Sequence, residues 1–200
     1  MSGRIVADKA GAIARLTFDN PEKRNAVSLE MWRELAARLA DFARDPAVRV
    51  VVLTGAGDKA FVSGADVSRF ESERASEQAV AEYNQATERA YVALQDFRKP
   101  TIARIKGVCV GGGVNLAVCC DLRLCSESAR FAIPAARLGL GYGYANVGRL
   151  ASAIGTSFAM EMLYTARTFD AADALRMGLV NRVLPDGGLD AALDAYATQI

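Results

Sequence analysis

Three consecutive glycines at positions 111–113 are the feature of this sequence that most directly suggests chemistry. They follow the apolar residues 108–110 and precede an apolar, helix-compatible segment. Glycine inside a regular element costs roughly 0.5–1 kcal/mol relative to alanine, so the run indicates that backbone N–H groups approach another group closely. The start of a helix has unpaired N–H groups and favours negative charge. The run predicts a site for an anion, or for an oxygen that becomes anionic during a reaction; a tight turn or close strand–helix packing is the structural alternative.

The remaining residue types restrict which acids, bases and metals such a site could use. The sequence contains no histidine, which excludes Ser-His-Asp and Cys-His catalysis and nearly all zinc chemistry. Its four cysteines, Cys109, Cys119, Cys120 and Cys125, have neither zinc nor disulfide spacing, so we expect buried reduced thiols and no metal site. Any general acid or base must therefore be a carboxylate, Tyr, Lys or Cys.

Composition predicts one globular domain over residues 1–200. The chain is 52% apolar and 24% charged, and its net charge of +1 lacks the basic footprint of a nucleic-acid-binding protein. No signal peptide is visible, and the longest apolar stretch, residues 108–120, is too short to span a bilayer. We therefore expect a cytoplasmic protein that binds neither nucleic acid nor membranes. A final helical stripe that ends at Ile200 without a cap predicts a trimmed C-terminal helical region.

Strands alternating with helices predict an α/β fold. Residues 4–18 read as a hairpin, and Ser28 as the N-cap of a helix that carries Met31, Leu35 and Leu39 on one face. The β-branched run at 48–53 predicts a strand buried on both faces. The further expectations are a loop at 58–66, a long helix with a stripe from Tyr83 to Phe97, strands at 101–105, 122–124 and 130–133, short helices from 146 onward and an extended piece at 179–183.

Several segments, taken in order, resemble the crotonase superfamily, that is, the enoyl-CoA hydratase/isomerase family. The resemblance covers nearly all 200 residues, and the ordered set is highly specific although each piece alone is weak. The segments are residues 19–26 (DNPEKRNA), 50–55 (VVVLTG), 60–66 (AFVSGAD), 99–103 (KPTIA), the triple-glycine segment, 120–123 (CDLR), 131–134 (FAIP) and 177–181 (MGLVN). The resemblance implies a spiral of ββα units with C-terminal helices, assembled as a trimer or a dimer of trimers.

The same resemblance implies that the protein binds acyl-CoA thioesters and needs no cofactor besides the coenzyme A of its substrate. The family's oxyanion hole consists of two backbone N–H groups, which by motif position fall on Ala65 and Gly112. Preorganised donors of this kind stabilise the enolate that forms from a thioester carbonyl. The segment Lys23, Arg24, Asn25 and Ala26 matches the part of the family that lies along CoA, where cations suit the phosphates, although a solvated loop is the alternative.

Asp66 resembles a position near the adenine end of CoA.

The sequence departs from the family at the two glutamates of its hydratases, whose positions hold Asn115 and Ala135. A positioned acid or base contributes roughly 10²–10⁴ in rate, so the departure argues against ordinary hydration. Asn115 can hold a water molecule but cannot accept its proton near neutral pH.

Other polar side chains near these motifs are candidates for the missing acid or base. Tyr142 and Tyr144 alternate with glycines and either act on the acyl group or simply line its pocket. Arg137 either pairs with a carboxylated acyl group or forms a structural salt bridge. Three hypotheses remain open: an acyl-CoA enzyme with altered catalytic groups, a genuine hydratase or isomerase that uses another carboxylate such as Asp66 or Glu161, and a non-catalytic CoA-binding or assembly subunit.

Overall fold

The computed structural model describes residues 3–66, 69 and 75–200 and has the predicted mixed α/β class. Two short 3₁₀ helices, Pro21–Lys23 and Pro134–Leu138, accompany the regular elements. The strands are β1 Arg4–Ala10, β2 Ile13–Asp19, β3 Val50–Gly55, β4 Ala60–Val62, β5 Thr101–Ile105, β6 Val108–Val110, β7 Leu122–Ser126, β8 Arg130–Ala132, β9 Phe169–Asp170 and β10 Arg182–Leu184. The helices are α1 Leu29–Arg44, α2 Glu77–Gln95, α3 Gly112–Cys119, α4 Tyr144–Thr165, α5 Ala171–Arg176 and α6 Leu189–Gln199.

The strands form two sheets, and the chain passes repeatedly from one sheet to the other. One sheet has the order β1-β2-β3-β5-β7-β10, and the other has the order β4-β6-β8-β9. The hairpin β1–β2 and the pair β8–β9 are antiparallel, and the other pairs are parallel. Between β3 and α4 the chain repeats one pattern three times: a strand in the larger sheet, a strand in the smaller sheet, and a helix. This is the expected series of ββα units.

Helix α1 shows how the local sequence sets the element ends. The Ser28 hydroxyl accepts a hydrogen bond from the amide of Met31, which satisfies one of the N–H groups that a helix start leaves open. Glu30 in the first turn and Arg44 in the last turn complement the helix dipole. The apolar face buries Met31, Trp32, Leu35 and Leu39.

Strand β3 is buried on both faces, as its sequence predicts. Val51 and Leu53 face the main core between the sheets and helices. Val50 and Val52 face a second, smaller core, because successive side chains of a strand point to opposite sides. That second core is closed by α6, which contributes Leu189, Leu193 and Ala197.

The expectation of short helices after residue 146 agrees with α5 and α6, and α4 consists of two helical pieces that Gly155 separates with φ +76° and ψ 158°. Two local expectations are wrong. The predicted loop at 58–66 contains β4, a strand too short to show a sequence period. The extended piece at 179–183 is reduced to β10, since the segment before it is a loop tied to the end of α5. Within the described residues, no helix has both the length and the apolar character needed to cross a membrane.

Candidate functional site

The site lies where β4 and β6 end. These strands are parallel neighbours, so the loops that follow them leave the same edge of the smaller sheet. A Cβ added to Gly64 in the first loop would lie 3.4 Å from the Val110 carbonyl oxygen and 3.9 Å from the amide nitrogen of Gly112. The two loops are thus in contact at Gly64, the residue that precedes Ala65.

The Ala65 amide points away from its neighbouring segment. Around Ala65 the chain forms a parallel bridge with Val27, in which Val27 donates to the Gly64 carbonyl (2.8 Å) and the Asp66 amide donates to the Val27 carbonyl (3.0 Å). Neighbouring peptide groups of an extended segment alternate in direction, so the Ala65 N–H faces the opposite side. It has no hydrogen-bond partner among the described residues.

Each glycine of the 111–113 run has a separate structural reason. Gly111 has φ +55° and ψ −112°, a conformation that a side chain disfavours, and its amide donates to the Ala132 carbonyl at 2.8 Å. A Cβ on Gly113 would lie 2.2 Å from the Val62 carbonyl oxygen. Gly112 is the first residue of α3, and across the described part of the chain its amide has no partner. Close packing and an unpaired donor therefore occur in the same run.

A tyrosine from α2 supports this helix start. The Tyr91 hydroxyl donates to the Gly112 carbonyl at 3.3 Å and is 3.1 Å from where a Cβ on Gly112 would be. Its ring packs edge-on against Trp32 at 5.2 Å between centroids, and the Trp32 indole donates to the Tyr83 hydroxyl at 3.1 Å. In the sequence Tyr91 is only one member of an apolar helical stripe. Sequence analysis therefore missed its contact with the glycine run, and no sequence signal indicates that contact.

Asn115 lies one helical turn after Gly112 and is 2% exposed. Its carboxamide is beside the hydroxyls of Tyr91 and Tyr142, close enough to perturb their pKa values. Nevertheless, its Oδ1 atom and the buried Tyr142 hydroxyl both lack a hydrogen-bond partner of normal geometry within the described residues. Buried polar atoms are rarely left unpaired, so these two require an explanation.

The groups around Asn115 remain protonated near neutral pH. Burial raises the pKa of Tyr91 and of Tyr142 well above the usual value, and the neighbouring Asn115 carboxamide offsets only part of this effect. Burial also raises the pKa of the Cys119 thiol to about 12. Arg149 lies with its guanidinium 5.5 Å from the centre of the Tyr91 ring. Glu88 neutralises that guanidinium through contacts of 2.5 and 3.1 Å.

The predicted CoA-binding residues lie close together, because the segment that contains Lys23, Arg24 and Ala26 runs beside the segment that ends at Asp66. Lys23 forms a 2.9 Å ion pair with Asp66, whose side chain is only 5% exposed. Arg24 is exposed, and its backbone is in the left-handed region with φ +51°. In the described structure its side chain forms no ion pair. Ala26 is buried, and its amide and carbonyl bond to the Lys23 carbonyl and the Asn20 side chain. Its main chain is thus used to hold the loop.

Arg24 borders a groove of about 310 Å³. The buried Asn25 side chain fixes this groove by donating to the carbonyls of Ala56 and Ala60. The charged residues of its lining are Glu22, Arg24, Asp58 and Lys59. Asp58 is also paired with Lys106 at 3.0 Å, which leaves the groove with two cations and one uncommitted carboxylate.

The structure does not bring every candidate to this site. Tyr144 begins α4 and is 95% exposed. Arg137 is exposed in the second 3₁₀ helix, without a salt bridge to any described residue. Glu161 lies on α4 and pairs with Arg167 at 2.8 Å, away from the glycines. Ala135 is half-buried against the main core. Asp66 is committed to Lys23, so neither alternative carboxylate contacts Asn115.

Among the described residues there is no group of three or more His, Cys, Asp or Glu side chains that could hold a metal ion. The polar atoms near Asn115 are amide, hydroxyl and thiol groups, and the thiol is protonated.

Comparison with known proteins gives consistent matches. The family described as enoyl-CoA hydratase/isomerase matches residues 8–200. Crotonyl-CoA hydratase of Syntrophomonas wolfei is 34% identical over 180 residues, which are 90% of this chain and 68% of that protein. Short-chain-enoyl-CoA hydratase of Clostridium acetobutylicum is 33% identical over 180 residues, again 90% and 68% of the two chains. The crystal structure of an enoyl-CoA hydratase/carnithine racemase from Magnetospirillum magneticum superposes with a TM-score of 0.94 at 37% identity, covering 98% of this chain and 73% of that one.

Proposed function

Because the chain belongs to the enoyl-CoA hydratase/isomerase family, with the crotonase fold of its relatives, we propose that it binds the thioester oxygen of an acyl-CoA between the amides of Ala65 and Gly112. Family membership makes it an acyl-CoA lyase or isomerase. Two observations support the proposal: within the described residues neither N–H group has a hydrogen-bond partner, and the two groups belong to touching loops that follow the parallel strands β4 and β6.

This pair suits a carbonyl oxygen that gains charge. Backbone donors are fixed before the reaction begins, so they stabilise an enolate without reorganising, and removing one donor costs roughly 10²–10³ in rate. The start of α3 adds its positive end to the same oxygen. Ala65 and Gly112 therefore serve as the catalytic donors, and they do so through the main chain.

The acid–base chemistry differs from that of an ordinary hydratase. Asn115 and Ala135 stand where a hydratase carries carboxylates, and the side chains nearest Asn115 are protonated tyrosines and a protonated thiol. With roughly 10²–10⁴ in rate from each positioned group, hydration of crotonyl-CoA is slowed by several orders of magnitude. The enzyme instead turns over a different acyl thioester, with Asn115 and Tyr142 contacting the acyl group; Tyr144 has no such position.

Proline substitution tests the donor directly. Ala65→Pro removes the proposed donor without removing a hydrogen bond of the Val27 bridge, because the bridge uses the carbonyl of Gly64 and the amide of Asp66. Bound cinnamoyl-CoA serves as the probe, since polarisation of its conjugated carbonyl shifts its absorption to longer wavelength. We expect the shift in the wild type and in Ala65→Gly, which keeps the amide, and its loss in Ala65→Pro at unchanged unfolding temperature. Binding without any shift in the wild type would contradict the proposal.

A turnover panel tests the altered chemistry. The panel contains enoyl-, carboxyacyl- and aryl-CoA thioesters, with crotonyl-CoA as the hydratase reference. We expect very slow crotonyl-CoA hydration and a gain of at least tenfold in the double variant Asn115→Glu/Ala135→Glu. Rapid hydration by the wild type would instead support a genuine hydratase. No turnover of any thioester in the panel, together with intact CoA binding, would support a non-catalytic subunit.

Arg24 is the cation that we assign to a CoA phosphate, with Lys23 orienting the loop through Asp66. Arg24→Ala should weaken CoA binding about tenfold, a loss of about 1.4 kcal/mol. Lys9→Ala, which removes a cation on β1, is the matched control. Equal CoA affinity in both variants would remove Arg24 from the site.

The proposed assembly is a cytoplasmic homotrimer or dimer of trimers. Support comes from the large apolar side chains that remain exposed on one stretch of chain and on α4: Leu138, Leu140, Tyr144, Met160 and Tyr164. Light scattering measures the mass, and a monomer at all concentrations would contradict this part.

A further inference from the structure

We infer that Trp32 is a positioning residue that fixes the direction of the Gly112 amide, and that Tyr83 holds Trp32 in place for this task. The inference rests on the proposed function, because it concerns a donor that we assign to the thioester oxygen. Trp32 lies on α1, which precedes the three strand–strand–helix units of the fold. Its side chain is 1% exposed, so it acts through Gly112 and not on the ligand.

The glycine run does not fix its own geometry. Glycine adopts both signs of φ at little cost, so three in succession leave the direction of the Gly112 N–H to be set by packing. The neighbouring glycines are held: the Gly111 amide donates to the Ala132 carbonyl at 2.8 Å. Gly113 is so close to the Val62 carbonyl that a Cβ would overlap it. A donor for a developing charge must be held to within about 0.5 Å, so Gly112 needs a constraint of its own.

Two aromatic side chains supply that constraint. A Cβ on Gly112 would lie 3.6 Å from Cζ2 and 3.8 Å from Cη2 of Trp32, so the edge of the indole fills the space on the side-chain side of Gly112. The Tyr91 hydroxyl is 3.1 Å from the same point and donates to the Gly112 carbonyl at 3.3 Å. The indole therefore limits rotation of the first peptide groups of α3, and the tyrosine bonds to the same turn.

The indole is itself fixed in direction. Its N–H donates to the Tyr83 hydroxyl at 3.1 Å, and its ring packs edge-on against Tyr91 at 5.2 Å between centroids. Both tyrosines belong to α2 and are buried, with exposures of 4% and 2%. A buried N–H that loses its acceptor pays a desolvation penalty, so this hydrogen bond opposes rotation of the ring. An aliphatic side chain would fill the same core without a fixed direction.

Trp32→Phe tests the inference through the absorption of bound cinnamoyl-CoA. Phenylalanine keeps an aromatic ring, but it is smaller and cannot donate to Tyr83. We expect a smaller absorption shift than in the wild type at similar affinity for cinnamoyl-CoA, because the carbonyl still binds but meets a misdirected donor. For the panel thioester that is turned over fastest, kcat should fall about tenfold at unchanged KM.

Leu39→Val is the matched control. Leu39 is buried on the same helix and in the same core as Trp32, so its truncation also lowers the unfolding temperature. We expect the full absorption shift in this variant. A full shift in Trp32→Phe would show that Trp32 only fills the core and would overturn the inference. A reduced shift in Leu39→Val would overturn it as well, since general loosening of the core would then be the cause.

Tyr83→Phe tests the hydrogen bond while keeping the tryptophan. The variant removes the acceptor of the indole N–H and leaves the ring of Trp32 beside Gly112. We expect a smaller absorption shift of bound cinnamoyl-CoA, whereas Tyr164→Phe, at a side chain that is 74% exposed, should keep the full shift. Trp32 is the only tryptophan of the chain, so its emission reports directly whether the ring has changed surroundings. Changed emission with a full shift would overturn the inference, and this result decides it even if Trp32→Phe does not fold.

The outcomes separate this inference from the function beneath it. If bound cinnamoyl-CoA shows no shift in the wild type, or the same shift in Ala65→Pro, the proposed function fails. If the shift is lost in Ala65→Pro but is complete in Trp32→Phe, only the positioning role of Trp32 fails.

Discussion

Two buried polar clusters in this protein differ in how completely they are paired. On the outer side of the larger sheet, Arg104 of β5 contacts both oxygens of Asp190 at 2.5 and 3.0 Å and the Thr54 hydroxyl at 3.3 Å. Beside the smaller sheet, Asn115 and Tyr142 leave polar atoms unpaired within the described residues. Arg104 and Asn115 are both buried, so burial alone does not explain the difference.

The contrast indicates which cluster serves stability and which serves binding. The buried Arg104 guanidinium attaches α6 to the sheet through Asp190, and losing the carboxylate leaves this buried cation without its counterion. Buried polar atoms without hydrogen-bond partners lower the stability of the free protein. A ligand that bonds to them would restore that stability. Departures from complete polar pairing are expected at functional sites.

The largest expected effect comes from disturbing the backbone that supports the unpaired cluster. Gly113→Ala would place a Cβ 2.2 Å from the Val62 carbonyl oxygen, so α3 must move off β4. We expect a loss of about 3 kcal/mol or more in the free energy of unfolding, at the upper end of overpacking costs. Urea unfolding measures it. Gly148→Ala, on α4 with nothing within 4 Å, should instead gain roughly 0.5–1 kcal/mol. Similar changes in both variants would contradict the close approach.

Breaking the paired cluster should have the next largest effect. Asp190→Asn leaves Arg104, whose side chain is 11% exposed, without its counterion. The expected loss is about 1–2 kcal/mol in the free energy of unfolding, less than for a fully buried pair, because the Asp190 side chain is 67% exposed and solvent screens it. Asp194→Asn is the control, since Asp194 lies on the same helix and groove but has no salt bridge in the described structure. An equal loss in the control would assign the effect to α6 itself.

The pH dependence of the stability difference between wild type and Asp190→Asn tests whether the ion pair with Arg104 is its source. Hydrogen bonding from Arg104 lowers the pKa of Asp190 below its ordinary 3.8. A carboxyl whose folded-state pKa is depressed contributes stability above its unfolded pKa, and that contribution is lost as the pH falls through the folded-state value. The stability difference between wild type and Asp190→Asn should therefore be constant above about pH 5 and shrink below about pH 4. A difference that persists in acid would exclude the ion pair as its source.

The smallest effect is expected at Tyr91, which joins the unpaired cluster to the glycine run. Tyr91→Phe removes the hydrogen bond to the Gly112 carbonyl but keeps the contact with Trp32. We expect a smaller absorption shift of bound cinnamoyl-CoA and about tenfold slower turnover, or about 1.4 kcal/mol in the barrier, with unchanged affinity. An unchanged shift would show that α3 is positioned without this hydroxyl.

Much of the fold was predictable because local and long-range signals agree. Ser28 and the spacing of Met31, Leu35 and Leu39 gave α1, and the β-branched run gave a strand buried on both faces. The failures lie where local signals are weak. Strand β4 has three residues, and its identity depends on β6, which is far away in sequence. Gly155 separates two helical pieces of α4 with a non-helical backbone, and one glycine in a helical pattern does not reveal such a break.

The site was predictable in part for the same reason. Glycine allows a close approach that a side chain would block, so residues 111–113 predicted such an approach, and the structure contains it at Gly113. Side-chain pairing depends on packing that a sequence does not display. Tyr142 and Tyr144 look equivalent in sequence, yet one hydroxyl is buried beside Asn115 and the other ring is 95% exposed. The catalytic roles of the Ala65 and Gly112 amides remain predictions.

The four cysteines have a practical consequence. All are buried, and burial raises the pKa of Cys119 and of Cys125 to about 12, so almost no thiolate is present for alkylation near neutral pH. A cysteine introduced at an exposed position away from the proposed assembly surface, such as Arg44, would therefore be the preferred target for maleimide dyes. Fluorescent reporters can be attached to the native sequence background without first replacing its own sulfur atoms.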